Sequence, residues 1–263
     1  MFDKKGEIIL ARITACCLQK GGTGKSTTAH ALSTGLTARG FKVLTIDLDP
    51  QGNLSYTMQA DTSKKGLYEA LNGEPIADLI QNTSQGDVIA SSPQLVGADK
   101  IFIDLGMEYL LSEALNPIKN NYDYIIIDCP PQLGVLVINA LVAATDIIIP
   151  ITSDLYAMQG LAQLFSNIEK VRHRPNPKLR IDGILLTKYS NRSILSRDLK
   201  DSIEEQATAL GTKLYKTIIR ESVSIREAQT QRISIFDYAP KSNPAIDYND
   251  FINEYVQTKE AKK

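Results

Sequence analysis

Gln19-Lys20-Gly21-Gly22-Thr23-Gly24-Lys25-Ser26-Thr27 brings together three glycines, two lysines and three hydroxyls within nine residues. Glycines let a backbone curl until successive N–H groups point inward, which makes a nest for phosphate oxygens. A helix opening at Lys25 would add its unpaired N–H groups and the positive end of its dipole. Lys25 is then placed to reach the β- and γ-phosphates and Ser26 to ligate Mg²⁺ through its hydroxyl. Thr27 is placed for the α-phosphate. The expected nucleotide-binding residues are Lys20, Gly21, Gly22, Thr23, Gly24, Lys25, Ser26 and Thr27, with ATP and Mg²⁺ as the ligands. Position 19 is glutamine where the common phosphate loop has glycine, and Lys20 is an additional lysine at the loop's start. From average residue usage, such a string arises by chance in a chain this long on the order of once in 10⁴ to 10⁵.

Two further segments carry carboxylates. In Asp47-Leu48-Asp49-Pro50-Gln51-Gly52-Asn53 the aspartates are two apart, so an extended backbone points them the same way. At a strand end facing Mg·ATP, carboxylates order metal-bound water or position an attacking one. Turn chemistry alone also favours aspartate before Pro-Gln-Gly, and the phosphate loop is what gives the pair its chemical reading. The run Tyr122-Asp123-Tyr124-Ile125-Ile126-Ile127-Asp128 has the form of a Walker B strand, whose final aspartate holds the Mg²⁺ shell. Asp123 reads as a solvated residue at the strand's start. Cys129-Pro130-Pro131 stops the strand, and Gly134 lets the following loop move, as a switch sensing the γ-phosphate does.

These segments need a frame. Strands are predicted over 8–18, 42–48, 87–91, 122–128, 146–151, 181–187 and 213–219. Several are nearly continuous in Val, Ile and Leu, as strands covered on both faces are. Between them, residues 25–39 place Ala29, Leu32 and Leu36 on one helical face, and residues 156–172 align Met158, Leu161, Leu164, Phe165, Ile168 and Val171. Alternation of this kind predicts an α/β fold, a twisted, mostly parallel sheet with helices on both faces. Ligands of such sheets sit at the carboxyl ends of the strands, where all three loaded segments fall. Residues 10–257 are expected to form a single P-loop ATPase domain, with 1–9 an N-terminal extension and 258–263 a disordered tail.

Bulk properties narrow the class. The content is 43% hydrophobic and 22% charged, that of an ordinary globular protein. No run of 18 apolar residues exists, and the polar start Met1 to Glu7 is not of the secretory kind, so a cytoplasmic protein is expected. Cys16, Cys17 and Cys129 lie in or after apolar runs, and their spacing offers neither a disulfide framework nor a four-ligand metal site. The net charge of −1 conceals an asymmetry. Residues 170–232 hold 14 Lys/Arg against 7 Asp/Glu, and the remainder 15 against 23. Long stretches of one sign are usually solvated faces, and they are also what a phosphate backbone meets.

The three segments together resemble the ParA/MinD superfamily of deviant Walker ATPases, and most of all the ParA-type partition ATPases. The residues that carry this are KGGTGKST at 20–27, VLTIDLDPQGNLS at 43–55 and NYDYIIIDCPPQLGVLVINAL at 121–141, followed by IIIPITSDLYAMQGLAQL at 147–164 and GILLTKYSNRS at 183–193. The resemblance implies a catalytic trio of Lys20, Lys25 and Asp49, in which Lys20 is the signature lysine that crosses to a partner's ATP. It implies Ser26, Asp47 and Asp128 around the magnesium. It implies a homodimer formed on ATP, non-specific DNA binding on the nucleoid, and release when a ParB-type centromere-binding protein stimulates hydrolysis. Departures occur at Leu18, where the family has asparagine, at Arg220, where a proline borders the adenine, and at Ser224, where an arginine meets DNA. Arg192, Arg197, Lys200, Arg220, Arg226 and Arg232 are the substitute candidates for DNA. A MinD-like membrane role would need a basic amphipathic C-terminal helix. Residues 245–256 carry Asp247, Asp250 and Glu254 with no basic residue, which predicts a helix docked on the domain and no membrane partner. The same fold also serves iron-sulfur proteins and small-molecule kinases or ligases; the cysteine spacing speaks against the first, and the lysine pair against the second.

Overall fold

A computed structural model describes residues 11–190 and 194–260, without the side chains of 155–157, 194–197 and 258–260. Seven strands form one sheet: β1 Arg12–Cys16, β2 Val43–Asp47, β3 Gln81–Thr83, β4 Gly86–Ile89, β5 Tyr124–Asp128, β6 Asp146–Ile151 and β7 Arg180–Leu186. Their order is β3-β4-β2-β5-β1-β6-β7, and every pairing is parallel except β3 with β4. The helices in chain order are α1 Lys25–Ala38, α2 Asn53–Thr57, α3 Leu67–Leu71, α4 Ala98–Ile101, α5 Leu110–Leu115 and α6 Val135–Ala143. They continue with α7 Leu155–His173, α8 Ile194–Ala209, α9 Val223–Thr230, α10 Ile235–Tyr238 and α11 Asn243–Glu260.

The core is double because strand side chains alternate between faces. Ala15, Ile46, Ile125, Ile127, Ile149 and Leu186 pack under α3, α5, α6, α7 and α8. Cys16, Val43, Tyr124, Ile126, Ile148 and Leu185 pack under α1, α2 and α11. The continuous Ile/Val runs are therefore needed on both sides, and the predicted α/β class is what forms. At the amino end of the sheet, far along β1 from the phosphate loop, the buried Arg12 guanidinium meets Asp182 at 2.7 Å, Asp146 at 3.3 Å and the Tyr255 carbonyl at 2.9 Å. Its Cζ lies 3.9 Å from the Tyr255 ring centre, which ties α11 to the sheet. Tyr248, Phe251, Ile252 and Tyr255 are buried in that contact, so the C-terminal helix is docked as its acidic sequence predicts.

Two expectations are corrected. Residues 213–219 are not a strand: only isolated bridges Ile184–Leu214 and Tyr189–Arg220 form. The reason is competition from α11, because the Glu254 carboxylate accepts the amides of Lys216 at 3.1 Å and Thr217 at 3.2 Å. Conversely, β3 exists without a sequence signal, as a short polar partner of β4. The helix α11 also runs to Glu260, into the segment expected to be a tail.

One buried base makes the fold sensitive to acid. His30 is buried on α1, where its Nε2 lies 2.8 Å from the Gln85 carbonyl oxygen. The Gln85 amide nitrogen donates to the Thr57 carbonyl at 2.6 Å, so its oxygen is the acceptor and His30 Nε2 the donor. Burial pushes the His30 pKa down to about 4 from 6.5. The unfolded chain then binds the extra proton between those values, so stability present at neutral pH is lost as pH falls from 6.5 to 4, of the order of 3 kcal/mol. Thermal unfolding at pH 7.5 and pH 5 should show about 2 kcal/mol of this loss in the native chain, and His30→Gln should flatten it.

Candidate functional site

The phosphate loop is built by local backbone geometry. Gly22 and Gly24 adopt left-handed φ values of 77° and 87°, which side-chain-bearing residues rarely adopt. A Cβ added at Gly21 or Gly22 would meet nothing within 4 Å, so the loop borders open space there. Lys25, the first residue of α1, is buried and its Nζ donates to the Lys20 carbonyl at 2.8 Å. No side chain caps the first turn of α1. The loop is held from the other edge by the end of β7. Thr187 Oγ1 donates to the Thr23 carbonyl at 2.7 Å, and Lys188 Nζ to the Gly22 carbonyl at 2.6 Å. Lys20 forms an ion pair with Asp154, whose other oxygen accepts from Thr152 Oγ1.

The carboxylates meet through strand register. Asp47 pairs with Asp128 across β2 and β5, and Asp128 with Cys16 across β5 and β1, so both end beside the phosphate loop. Asp47 is fully buried and accepts from Ser55 N and Ser55 Oγ, each at 2.7 Å, and from Asp49 N at 3.2 Å. Burial raises its pKa to about 6, the Ser55 bonds oppose that, and the charge of Asp49 adds to it. Among the described residues neither oxygen of Asp128 has a hydrogen-bond partner of good geometry, although the side chain is fully buried and the Ser26 hydroxyl lies near it. Burial first, then the charge of Asp47, holds the Asp128 carboxyl well above the usual carboxylate range, while Ser26 and Lys25 pull the other way. Adjacent buried carboxylates, one of them unsatisfied, next to a serine hydroxyl fit a hard divalent cation that keeps part of its water shell.

The two aspartates of the second segment have separate surroundings. Asp49 lines the cavity in front of the loop, whereas Asp47 and Asp128 are fully buried and are not part of its lining. Asp49 Oδ1 accepts from Gln51 N at 3.0 Å, and its carbonyl accepts from Ser91 Oγ at 2.6 Å. The cavity has a volume of about 670 Å³, and Gly21, Gly22, Gly24, Lys25, Ser26 and Thr27 line one side of it. Thus the expected loop residues, Asp47, Asp49 and Asp128 are brought together. Tyr56, Lys188 and Gln229, which also line the cavity, carry no signal in the sequence, and Arg226, a candidate for DNA, lines it with them. Gln229 Nε2 donates to Thr27 Oγ1 at 3.0 Å, a contact that no local spacing signals. A smaller recess of about 110 Å³ behind Gly24 and Thr27 is lined by Ile219, Ile225 and Tyr248, with Arg220 where the family has proline.

The basic candidates scatter. Arg220 is locked in a two-pronged pair with Asp247, with Nη2 to Oδ1 at 2.6 Å and Nε to Oδ2 at 3.0 Å. Arg232 donates from Nε to the Tyr56 carbonyl at 2.7 Å and stacks 4.6 Å from the Tyr56 ring centre. Arg226 is exposed at the mouth of the cavity, and Lys200 is half-buried on α8. Arg192 and the side chain of Arg197 lie outside the described residues. Among the described residues no helix is long and apolar enough to cross a membrane, and no group of three or more His, Cys, Asp or Glu could hold a metal ion. Cys16, Cys17 and Cys129 are buried free thiols.

Comparison with known proteins agrees with this geometry. The family model described as an AAA domain matches residues 11–181. The sporulation initiation inhibitor protein Soj of Bacillus subtilis is 38% identical over 251 residues, 93% of this chain and 98% of its own. The chromosome partitioning protein ParA of Caulobacter vibrioides is 40% identical over 228 residues, 82% of this chain and 83% of its own. A cobyrinic acid a,c-diamide synthase from Mycobacterium smegmatis, solved with an ATP analog and magnesium, superposes with a TM-score of 0.82 at 30% identity, covering 97% of this chain and 98% of that one. With a phosphate loop opening on α1, carboxylates paired by register behind it, and relatives matching nearly end to end, the chain belongs to the Soj/ParA branch of the ParA/MinD superfamily of P-loop ATPases.

Proposed function

We propose that this partition ATPase joins into a homodimer on binding Mg·ATP, holds DNA without sequence preference while joined, and lets go when a ParB-type partner speeds hydrolysis. One observation carries the reading: open glycine cradle, buried lysine and unsatisfied aspartate converge at the carboxyl ends of the adjacent strands β1, β5 and β2. Lys25 and the amides of Gly21 to Thr27 take the phosphates. Ser26, Asp47 and Asp128 hold the magnesium, which when bound neutralises charge building on the phosphoryl oxygens. Asp49, on the cavity wall, orients the attacking water. Lys20 is the residue offered across the interface, where a positive charge on the transferring phosphoryl contributes about 10³- to 10⁵-fold in rate.

DNA affinity follows from valency. If one protomer neutralises about three phosphates, a dimer neutralises about six, and counterion release makes the difference steep. The segment 170–232 supplies the local excess of basic residues. Among its candidates, exposed Arg226 is favoured and Arg220 is not, since Asp247 already satisfies it. Arg226→Ala removes one contact from each protomer and should therefore lower the slope of log affinity against log salt for the dimer by about two, measured by anisotropy on duplexes of unrelated sequence, while Arg220→Ala leaves the slope as it is.

A ligase reading, suggested by the name of the Mycobacterium smegmatis structure, is set aside because the Soj and ParA relatives match at higher identity over most of the chain. Size-exclusion chromatography with ATP and with ADP, followed by a DNA shift in each state, tests the proposal. A chain that remains single with ATP, or binds DNA equally in both states, overturns it.

A further inference from the structure

Cys17 and Cys129 stand 112 residues apart in the sequence and touch in the fold, where Cys17 Sγ donates to Cys129 Sγ at 2.7 Å. Strand register puts them there. Cys16 pairs with Asp128 across β1 and β5, and the Cys129 amide donates to the Cys16 carbonyl at 3.3 Å, so Cys17 and Cys129 are the next residues out on neighbouring strands. Such neighbours lie about 4.8 Å apart, inside the span of about 4.4 to 6.8 Å between Cα atoms that a disulfide accepts. Side chains alternate between faces, so both thiols enter the layer packed under α5 and α6, whereas Cys16 belongs to the opposite layer. The three cysteines thus give one pair and one bystander, and all are free thiols.

The pair lies between two segments that border the nucleotide cavity. Cys17 comes three residues before Lys20, which opens the phosphate loop, and Cys129 directly follows Asp128. Pro131, two residues further on, lines the cavity, and Val135 opens α6 with its amide 2.6 Å from the Asp99 carboxylate. A 3.3 Å main-chain hydrogen bond joins the two segments where the strands end. A covalent bond beside it fixes their separation, and any rearrangement of residues 130–134 around a nucleotide then starts from an anchored Cys129.

Both residues are 1% exposed, so bulky disulfide reagents are kept out and a small hydroperoxide is the oxidant that fits. Hydrogen peroxide takes one thiol to a sulfenic acid as its O–O bond breaks and one oxygen leaves as water. The second thiol attacks that sulfur, the S–S bond forms, and the other oxygen leaves as a second water. The two thiols lose two electrons and two protons, and the peroxide accepts them all. A small dithiol reverses the step by thiol–disulfide exchange as the loop opens.

We infer that Cys17 and Cys129 form a reversible oxidative modification site, and that the disulfide made there halts ATP hydrolysis by tying the phosphate loop to the loop after Asp128. The native chain, Cys17→Ala and Cys129→Ala are exposed to hydrogen peroxide, with and without later dithiothreitol. Thiols are counted by alkylating the denatured chain and measuring its intact mass, and the cross-linked peptides are mapped. The native chain goes from three alkylated cysteines to one, Cys16, with the new bond inside a single chain, and dithiothreitol restores all three. Its hydrolysis falls at least about tenfold and recovers with the thiols, while both variants keep the untreated rate throughout. Treatment that leaves three thiols, gives sulfinic acid in place of the cross-link, or joins Cys16 or two chains overturns the inference. So does a cross-linked chain of unchanged turnover, or an equal fall in the variants. The thiol count on the native chain needs neither a variant nor turnover, so a poorly folded substitution leaves the pairing testable, and the ATP-dependent dimer stands or falls separately.

Discussion

Lys25→Ala should weaken ATP binding by about two orders of magnitude, roughly the 3 kcal/mol of charged hydrogen bonds to phosphate that it would lose. The fold should survive the change. Lys25 Nζ makes one hydrogen bond, to the Lys20 carbonyl at 2.8 Å, and that acceptor sits at the start of the loop, where water can replace the donor. The glycine geometry at Gly22 and Gly24 is held independently by Thr187 and Lys188. Calorimetric titration of Mg·ATP into the native chain and the variant, alongside their far-ultraviolet dichroism, separates loss of affinity from loss of fold. An affinity within about threefold of native would remove Lys25 from the phosphate site.

Asp49→Ala has the opposite signature. Hydrolysis should fall by about 10² to 10⁴, the range of a lost water-positioning or general-base group, while ATP affinity stays near native. The variant should accumulate as an ATP-bound dimer that remains on DNA. The geometry makes this a clean substitution. The carboxylate's hydrogen bond is to Gln51 N, whereas the bond to Ser91 that shapes the turn comes from the Asp49 main chain and persists. Single-turnover hydrolysis and size-exclusion chromatography on the same sample check both halves. Normal turnover in this variant would reassign the residue.

The legible part of this molecule is the part written in local chemistry. The phosphate loop, the Ile-rich strands and the aspartates that end β2 and β5 follow from residue types and from the fact that parallel strands align their carboxyl ends. Register then brought Asp47 to Asp128 with nothing further needed. What the two-residue spacing of Asp47 and Asp49 does not carry is their different surroundings, because Ser55 from α2 folds back onto Asp47 and donates to it from both its backbone and its side chain. Residues 213–219 looked like a strand for sound reasons of composition. There Tyr215 lies across Gly183, where a Cβ would be 2.7 Å from its ring, and Glu254 claims the next two amides. Gln229 was illegible because its partner Thr27 lies 202 residues earlier. Such long-range pairs are consequences of the finished packing of α9 against α1 and carry no periodic trace.

The Lys20–Asp154 pair has a bearing on when two copies meet. In the proposed cycle this lysine must serve a neighbour's triphosphate, yet in the single chain it is already engaged by its own carboxylate, itself steadied by Thr152. Association is therefore a trade of one ionic partner for another, and its net driving force is the difference between them. In that proposed exchange a diphosphate, lacking the terminal charge, would offer the lysine less than a triphosphate. Within the proposed cycle the internal pair would thus set a threshold that a partner's nucleotide has to exceed.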